Sequence, residues 1–401
     1  MLKDRDVVVC GAVRTAVGRL GGSLKDVPVQ DLAAQVVSEV LTRTGVPGEA
    51  VDLVVLGNSR QTTEAANLAR VALLKAGLPE KTAGYTVHLH CASALQAIIS
   101  ACQAIETGDA GVVAAGGAES LSRSPFYLKK ARYGYGNGNA ELVDSLTEAG
   151  PGAVPPEIYG YLPMGLTAEN VAGKYGISRE RQDGFALESQ ERAARAIAGG
   201  RFAGQITPVA VSGGKGQTAL FEVDEFPRET SLEKLAALKP AFKKGGSVTA
   251  GNSCGQNDAA SVVLLMTAAR ARELGLKPLA RVVSRAVVGL SPVYMGMGPV
   301  PATRLALERA GLSLSDIDLV ELNEAFASQS LAVIDELGLD QARTNIYGGA
   351  IALGHPVGAT GAIILTKLLY ALADRDKRLG LATLCIGGGQ GLAIIVERVS
   401  S

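Results

Sequence analysis

The 401-residue sequence has no tryptophan, only three histidines, and few aromatic side chains, which make up 4% of the chain. Its hydrophobic core must therefore be built from Val, Ile, Leu and Ala, as in α/β proteins with buried parallel strands. Basic and acidic residues number 39 each, so the net charge is zero. No global field attracts nucleic acid or an acidic membrane surface, and we expect neither as a partner.

The sequence also lacks a disulfide framework and a membrane segment. Five cysteines, an odd number in a long chain, are typical of a reducing compartment. No uncharged apolar run is long enough to span a bilayer, and residues 1–6 carry charges instead of an apolar signal segment. We therefore expect a cytoplasmic protein.

The chain contains an internal repeat. Residues 36–58 match residues 302–324 without a gap, each with an amphipathic helix pattern, a polar turn and Asp-Leu-Val-x-Leu. Residues 111–119 and 381–390 both have the pattern of a buried strand that ends in paired glycines. The repetition predicts two similar α/β halves in which strands and helices alternate.

A segment of different composition, from about residue 122 to 248, separates the repeated units. It is rich in Gly, Asn and Pro and contains one strong helix pattern, residues 179–198. Insertions into a rigid scaffold often carry substrate contacts, so we expect a loop domain folded over one face. The predicted division is an N-terminal half, 1–270, that includes this loop domain, and a C-terminal half, 278–401.

Three residues stand at glycine-rich or helix-start positions that suit catalysis. His355 lies in a glycine-dense run that leads into a helix, where backbone N–H groups surround a bound group. Cys91 stands at a strand-to-helix junction, with a strand pattern through His90, and a helix N-terminus is expected to lower the thiol pKa. Cys385 ends the last core strand before three glycines, whose N–H groups could hold an oxyanion.

The other cysteines and histidines have simpler interpretations. Cys10 and Cys102 fall on apolar faces and are expected in the core. His88, His90 and Cys91 could form part of a zinc site, but no second Cys/His pair supplies the remaining ligands. We therefore expect no metal, and His90 is expected to form local hydrogen bonds.

Seven runs of the sequence, taken together, resemble one protein family. They are Ala-Val-Arg-Thr-Ala-Val-Gly at 12–18, Ala-Gly-Gly-Ala-Glu-Ser-Leu-Ser at 115–122, Met-Gly-Leu-Thr-Ala-Glu-Asn-Val-Ala at 164–172, Val-Thr-Ala-Gly-Asn at 248–252, Asn-Glu-Ala-Phe-Ala at 323–327, Gly-His-Pro-Val-Gly-Ala at 354–359 and Cys-Ile-Gly-Gly-Gly-Gln-Gly at 385–391. In this order they resemble the thiolases, acetyl-CoA acetyltransferases and 3-ketoacyl-CoA thiolases, along essentially the whole chain.

The resemblance implies an α/β fold of five layers, αβαβα, built from two duplicated βαβαβαββ halves with an inserted loop domain. It implies an acyl-CoA:acetyl-CoA C-acyltransferase that works by a ping-pong mechanism, on acyl-CoA, acetyl-CoA and CoA as substrates. No further cofactor is required, and the family forms dimers and tetramers. The alternatives are a ketosynthase-like condensing enzyme of the same fold and a catalytically silent CoA- or lipid-binding relative.

The resemblance also implies roles for individual residues. Cys91 would carry the acyl group as a thioester, and His355 would activate its thiol. His355 and Asn323 would form the oxyanion site for the thioester enolate, and Cys385 would be the second acid/base. The N–H groups of Cys91 and Gly387 would form the oxyanion hole of the acyl-enzyme step.

Four further residues would contact the substrate if the resemblance holds. Met164, Met295 and Phe326 would line the acyl and pantetheine pocket, and Arg228 would meet the CoA nucleotide.

The chain departs from the family pattern near the nucleophile. His88 replaces the usual Asn, and Ala94 replaces a glycine of the nucleophile helix. Cys254 stands where a serine commonly contacts the pantetheine. Pro163 before Met164 is typical of the degradative branch and of fatty-acid β-oxidation, so chain-length preference and direction stay open.

Overall fold

A computed structural model describes residues 2–214 and 216–399 of the chain. The strands are β1 Val7–Thr15, β2 Gly18–Arg19, β3 Leu53–Gly57, β4 Ala83–Val87, β5 Val112–Ser120, β6 Phe126–Leu128, β7 Leu142–Asp144, β8 Ile206–Thr207, β9 Val209–Ser212, β10 Thr218–Phe221, β11 Asn257–Thr267, β12 Ala280–Gly289, β13 Leu319–Leu322, β14 Leu379–Ile386 and β15 Gln390–Arg398. The α-helices are α1 Val29–Thr44, α2 Leu68–Lys75, α3 Ser93–Thr107, α4 Ser145–Glu148, α5 Pro156–Tyr159, α6 Met164–Tyr175, α7 Arg179–Ala198, α8 Leu232–Ala236, α9 Ala268–Glu273, α10 Pro299–Ala310, α11 Ala327–Leu337, α12 Ala350–Leu353 and α13 Thr360–Asp374.

The strands of the two halves follow the same order. In the N-terminal half the order is β4-β3-β5-β11-β1, and in the C-terminal half it is β13-β14-β15-β12. The strands β3 and β5 are parallel, as are β13 and β14, and each pair is followed by an antiparallel strand. The halves join where β1 pairs with β12 through Val8 opposite Arg281 and Val9 opposite Ala280. The repeat predicted from the sequence is confirmed. Residues 36–58 contain most of α1 and all of β3, and residues 302–324 contain most of the equivalent α10 and all of β13. The second repeated strand is β5 in the N-terminal half and β14 in the C-terminal half.

Helices form three layers around the strands of the two halves. Helices α1 and α2 cover the outer face of the N-terminal strands, and α10 covers β12, β14 and β15 on the opposite outer face. Helices α3 and α13 pack against each other between the two sets of strands. The five-layered αβαβα arrangement is therefore confirmed, and its middle layer contains the helices that follow Cys91 and His355.

The core has the composition expected from the scarcity of aromatics. The largest apolar cluster consists mostly of Val, Ile, Leu and Ala, and β5 and β14 are buried along their whole lengths. Cys10 and Cys102 belong to this cluster, and burial raises the pKa of each thiol to about 12. Both are core residues, as predicted.

The segment between the repeated units contains small elements and two longer helices. The predicted helix at residues 179–198 is confirmed as α7. A hairpin of β6 and β7 exposes Phe126, Leu128 and Leu142. The boundaries of this loop domain and of the two halves stay predictions. Across the described residues, each helix is too short or too polar to cross a bilayer.

Candidate active site

Cys91 lies in a short turn between β4 and α3. The turn is a 3-10 helix, His90–Ala92, and the predicted strand through His90 is wrong because β4 ends at Val87. His90 has a positive φ of 43°, which lies outside the extended region of a regular strand. The Ser93 hydroxyl donates a hydrogen bond of 2.7 Å to the His90 carbonyl and holds the turn closed.

The thiol pKa of Cys91 is raised, which contradicts the expectation from its helix-start position. Burial of the sulfur is the largest cause, because it disfavours the charged thiolate. A hydrogen bond from the Gly387 backbone N–H and the positive charge of Arg60 act in the opposite direction but do not outweigh burial. Cys91 is therefore a neutral thiol near pH 7, and it could act as a nucleophile only after a base removes its proton.

The loop that contains His355 is packed tightly against the start of the nucleophile helix. A Cβ added at Gly361, in the first turn of α13, would lie 2.5 Å from the backbone nitrogen of Leu95 in α3. A Cβ at Gly117 would lie 2.2 Å from the Gly358 carbonyl oxygen and 2.9 Å from the Ala94 methyl. The methyl group that distinguishes Ala94 from the family's glycine thus fills the space that Gly117 leaves open.

The hydrogen bonds of His355 favour one tautomer of its ring. Nδ1 lies 2.6 Å from the Thr360 hydroxyl oxygen, and that hydroxyl is also placed to donate to the Pro356 carbonyl at 3.1 Å. With the hydroxyl hydrogen directed to Pro356, we assign the ring proton to Nδ1, which donates to Thr360. The Asn257 side chain also accepts from the backbone N–H of His355 at 2.9 Å.

The other ring nitrogen of His355 is free to act as a base. Nε2 is buried and has no hydrogen-bond partner within the described ranges. Burial also lowers the imidazole pKa to about 4 from its ordinary 6.5, so the ring is neutral near pH 7. A neutral imidazole with an unshared lone pair at Nε2 can accept a proton from a thiol.

Asn323 directly follows β13 and is buried with both side-chain amide atoms unpaired among the residues that the structure describes. Its backbone N–H donates to the Thr383 carbonyl in β14 at 3.0 Å, which fixes its position. Unpaired buried polar atoms are rare in proteins and call for an explanation. The Asn323 amide and His355 Nε2 both belong to this class.

Three cysteine sulfurs lie near one another. Cys385 is fully buried at the end of β14, and its thiol pKa is raised by burial and by the nearby thiols of Cys91 and Cys254. Burial and the Cys91 thiol likewise raise the pKa of Cys254. The backbone N–H of Cys254 donates to the Ala325 carbonyl at 3.0 Å, which ties its loop to the segment after Asn323.

The predicted acyl-pocket residues surround Cys385. One small apolar cluster contains Ala168, Val248, Met295, Ala325, Phe326 and Cys385, with Met164 packed against it. A Cβ at Gly387 would lie 3.5 Å from the Met164 sulfur and 3.6 Å from the His90 ring. The Gly387 peptide thus lies between the nucleophile turn and an apolar wall.

The structure leaves the predicted role of Arg228 untested and differs from the prediction for His90. The Arg228 guanidinium contacts the Ala250 carbonyl at 3.3 Å and lies 5.2 Å from the Phe226 ring centre. None of its hydrogen bonds within the described chain joins it to the three cysteines, so its role toward the CoA nucleotide stays a prediction. In the described part of the chain, the His90 ring forms no hydrogen bond and packs edge-to-face on the His88 ring, 4.9 Å away.

Two buried residues that contact the His355 loop received no role from the sequence. The Thr360 hydroxyl contacts the imidazole Nδ1 of His355, and the Glu119 carboxylate accepts a hydrogen bond from the Gly358 N–H at 2.8 Å. Thr360 could have been found from its position five residues after His355 at the start of a helix. Within residues 2–214 and 216–399, no group of three or more His, Cys, Asp or Glu side chains could hold a metal ion.

Comparison with known proteins gives one consistent result. The family model "Thiolase, N-terminal domain" matches residues 7–269, and "Thiolase, C-terminal domain" matches residues 276–398. The acetyl-CoA acetyltransferase of Pseudomonas aeruginosa is 51% identical over 98% of this chain and 100% of its own length. The crystal structure of the Bacillus anthracis acetyl-CoA acetyltransferase is 45% identical, with a TM-score of 0.95, over 98% of this chain and 99% of that chain.

A further solved structure is that of a ligand complex. Human mitochondrial 3-ketoacyl-CoA thiolase in complex with CoA is 42% identical and has a TM-score of 0.93, with 99% of each chain covered. Family models, sequence relatives and solved structures all cover nearly the whole chain. The chain therefore belongs to the thiolase family.

Proposed function

We propose that the protein is an acyl-CoA:acetyl-CoA C-acyltransferase, which condenses two acyl-CoA thioesters or cleaves a 3-ketoacyl-CoA with CoA. The observation that carries the proposal is the neutral His355 ring, with Nδ1 bonded to Thr360 and Nε2 buried and free. This is the form of imidazole that can take a proton from a neutral thiol such as Cys91. The names of the relatives, which are acetyl-CoA acetyltransferases and a 3-ketoacyl-CoA thiolase, support the substrate class.

In the acylation half, His355 Nε2 takes the thiol proton of Cys91 while the sulfur attacks the thioester carbonyl. The N–H groups of Cys91 and Gly387 stabilise the carbonyl oxygen as it becomes negative. The bond between the carbonyl and the CoA sulfur breaks, and Cys385 gives its proton to the departing CoA thiolate. The products are free CoA, an acyl group on Cys91, a protonated His355 and a Cys385 thiolate.

In the condensation half, the Cys385 thiolate removes a proton from the methyl group of acetyl-CoA. Burial raises the thiol pKa of Cys385, which makes its thiolate a strong base for this weak carbon acid. Protonated His355 and the Asn323 amide stabilise the enolate oxygen. The enolate attacks the acyl carbonyl, Cys91 leaves and regains its proton from His355, and the 3-ketoacyl-CoA is released. Proton balance is complete, and the cleavage reaction is the reverse sequence.

The two alternative functions receive less support. A ketosynthase-like enzyme has no use for a thiol at the position of Cys385, which here is buried beside two other thiols. A catalytically silent relative does not need an unpaired His355 Nε2 or an unpaired Asn323 amide, both of which cost stability when buried.

A thiolysis assay tests the proposal. Purified protein is mixed with CoA and a series of 3-ketoacyl-CoAs, beginning with acetoacetyl-CoA and including longer, branched and aromatic members. We expect CoA-dependent release of acetyl-CoA and of an acyl-CoA shortened by one acetyl unit, with one part of the series preferred. The Cys91→Ala variant is the control for contaminating activity. Release of acetyl-CoA from none of the series would contradict the proposal.

We also propose that the protein acts in the cytoplasm as a homodimer or homotetramer. Two exposed features support self-association: the edge strand β4 and the hairpin of β6 and β7, which exposes Phe126, Leu128 and Leu142. Light scattering on the eluted protein measures the mass of the assembly. A mass equal to one chain across the working concentration range would contradict the oligomer.

A further inference from the structure

Glu119 is a fully buried carboxylate to which the proposed reaction assigns no role. Its Oε1 accepts hydrogen bonds from Asn58 Nδ2 at 2.8 Å and from the Arg60 N–H at 3.0 Å. Its Oε2 accepts from the Ser59 N–H at 3.1 Å and from the Gly358 N–H at 2.8 Å. All these partners are donors, so the carboxyl group has nothing to receive a proton of its own. Burial raises the pKa of the Glu119 carboxyl, and the N–H donors and the charge of Arg60 oppose that rise. With donors alone as its partners in the described residues, the geometry fits the ionised form.

These hydrogen bonds connect two loops that border the nucleophile turn. One loop, residues 58–60, follows β3, and the other contains His355 and leads into α13. The His355 loop is in close contact with β5: a Cβ at Gly358 would lie 2.8 Å from a Glu119 oxygen, and one at Gly117 would lie 2.2 Å from the Gly358 carbonyl. The His355 loop is thus held by a hydrogen bond on one side and by steric contact on the other.

We propose that Glu119 is a positioning residue that holds the His355 loop so that Nε2 is aimed at the Cys91 thiol. The inference rests on the proposed function, because Glu119 acts through the base that activates Cys91. Backbone N–H groups cannot rotate away as side chains can, so a carboxylate that accepts from both loops fixes their separation. Short charge-assisted hydrogen bonds suit this task because they are stronger and more directional than neutral ones.

The charge of Glu119 has the opposite effect on the nucleophile. Its negative charge raises the pKa of the Cys91 thiol, because it disfavours a second anion nearby. Loss of the charge alone would therefore help Cys91 to ionise and react faster. Loss of the hydrogen bonds between Glu119 and the two loops would instead misplace His355 and slow the reaction. Glu119→Gln distinguishes the charge effect from the positioning effect, because the two change the rate in opposite directions. The Gln side chain has nearly the same shape, but its NH₂ group is a donor that would face backbone N–H groups and cannot accept from them.

A double-mutant cycle on the acetylation of Cys91 by acetyl-CoA tests the proposal. The rate is measured by mass spectrometry for the wild type, Glu119→Gln, His355→Ala and the double variant. We expect Glu119→Gln to slow acetylation by about tenfold to a hundredfold when His355 is present, the size of effect that a small misplacement of a catalytic group produces. In the His355→Ala background we expect Glu119→Gln to cause no slowing, and at most a modest gain from the lost charge, because no base remains to be misplaced.

Two further variants separate positioning from charge and from general damage. Glu119→Asp keeps the charge but is too short to reach both loops, so we expect slow acetylation there too, and it serves if the Gln variant does not fold. Asp52→Asn is the matched control. The Asp52 carboxylate also accepts hydrogen bonds from backbone N–H groups, those of Gly111 and Val112, but at the opposite end of β5. We expect it to change thermal stability but not the acetylation rate of the folded protein.

The pH dependence supplies an independent readout. At alkaline pH the Cys91 thiol ionises without help, so the deficit of the Glu119 variants should shrink. The inference is overturned by equal slowing in both His355 backgrounds, by faster acetylation in Glu119→Gln, or by a deficit that stays constant with pH. Absence of Cys91 acetylation in the wild type would instead overturn the proposed function, so the two failures are distinguishable.

Discussion

Burial sets the protonation states of Cys91 and His355, the two residues that begin the proposed reaction. It raises the thiol pKa of Cys91 and lowers the imidazole pKa of His355 to about 4. Near pH 7 both groups are therefore neutral, so the site holds no charged pair before the substrate binds. The proton moves only when a thioester carbonyl and the Gly387 N–H are available to accept the developing charge.

The lowered pKa of His355 predicts an unusual acid limit for acylation. The neutral ring is the competent base, and it becomes protonated only near pH 4 in the folded protein, whereas an ordinary histidine is protonated near 6.5. We expect most His355 rings to stay neutral at pH values well below 6.5, and we expect the acetylation rate to be proportional to this neutral fraction. Single-turnover acetylation by mass spectrometry across this range measures the limit. A half-maximal rate near pH 6.5 would contradict the prediction.

Unfolding must be monitored in the same experiment. Between pH 6.5 and about 4 the unfolded chain binds a proton at His355 that the folded chain does not, so stability falls as the pH falls. His90 has a similarly lowered pKa, about 4, because of burial and the neighbouring charges of His88 and Arg60. Circular dichroism at each pH separates loss of the fold from protonation of the base.

At the scale of elements, the active site depends on the close approach of α3 and α13. Helix α3 begins just after Cys91, and α13 begins just after the loop that contains His355. Gly361, in the first turn of α13, has no side chain and so allows the backbones of the two helices to come into contact. Glycine in a helix costs stability through its backbone freedom, so its presence in a buried helix start requires a packing reason. At Gly361 the reason is the Leu95 backbone nitrogen, 2.5 Å from where a Cβ would lie.

Replacement of two helical glycines by alanine should change stability in opposite directions. We expect Gly361→Ala to destabilise the fold by about 2 kcal/mol, because the added methyl overlaps the Leu95 backbone, which cannot rotate away. Gly184 lies in α7 with no heavy atom of the described residues within 4 Å of an added Cβ. We expect Gly184→Ala to stabilise by about 0.5–1 kcal/mol. Denaturant unfolding measures both, and a change of the same sign in both would contradict the packing argument.

At the scale of the whole molecule, the sequence predicted the features that follow from the order of apolar, polar and glycine residues along the chain. The internal repeat predicted the two halves, because a repeated order of apolar strand and amphipathic helix produces a repeated layer. The junction positions of Cys91 and Cys385 were visible because glycines and a change of period mark the ends of strands. The helix at 179–198 was predicted to the residue, since a long run rich in Glu, Arg, Gln and Ala has a strong intrinsic preference for helix.

What the sequence did not predict depends on tertiary surroundings. The thiol pKa of Cys91 was expected to fall from its helix-start position, but burial by distant segments reverses the sign. The strand before it ends early because His90 turns left-handed, which residue type does not reveal. The Glu119 carboxylate accepts hydrogen bonds from residues 58–60 and from Gly358, which are far from it in the sequence, and no spacing rule reports these contacts.

The central claim concerns the whole molecule: thiols from two distant segments divide one reaction, with Cys91 as the nucleophile and Cys385 as the acid/base. The most direct measurement is acetyl-CoA treatment followed by acid quench and peptide mass mapping, together with deuterium exchange of the acetyl-CoA methyl group. The account predicts an acetyl group on Cys91 in the wild type and, formed more slowly, in Cys385→Ala, where solvent must protonate the departing CoA. Methyl exchange and condensation are lost in Cys385→Ala. An acetyl group on a residue other than Cys91, or normal condensation by Cys385→Ala, would contradict it.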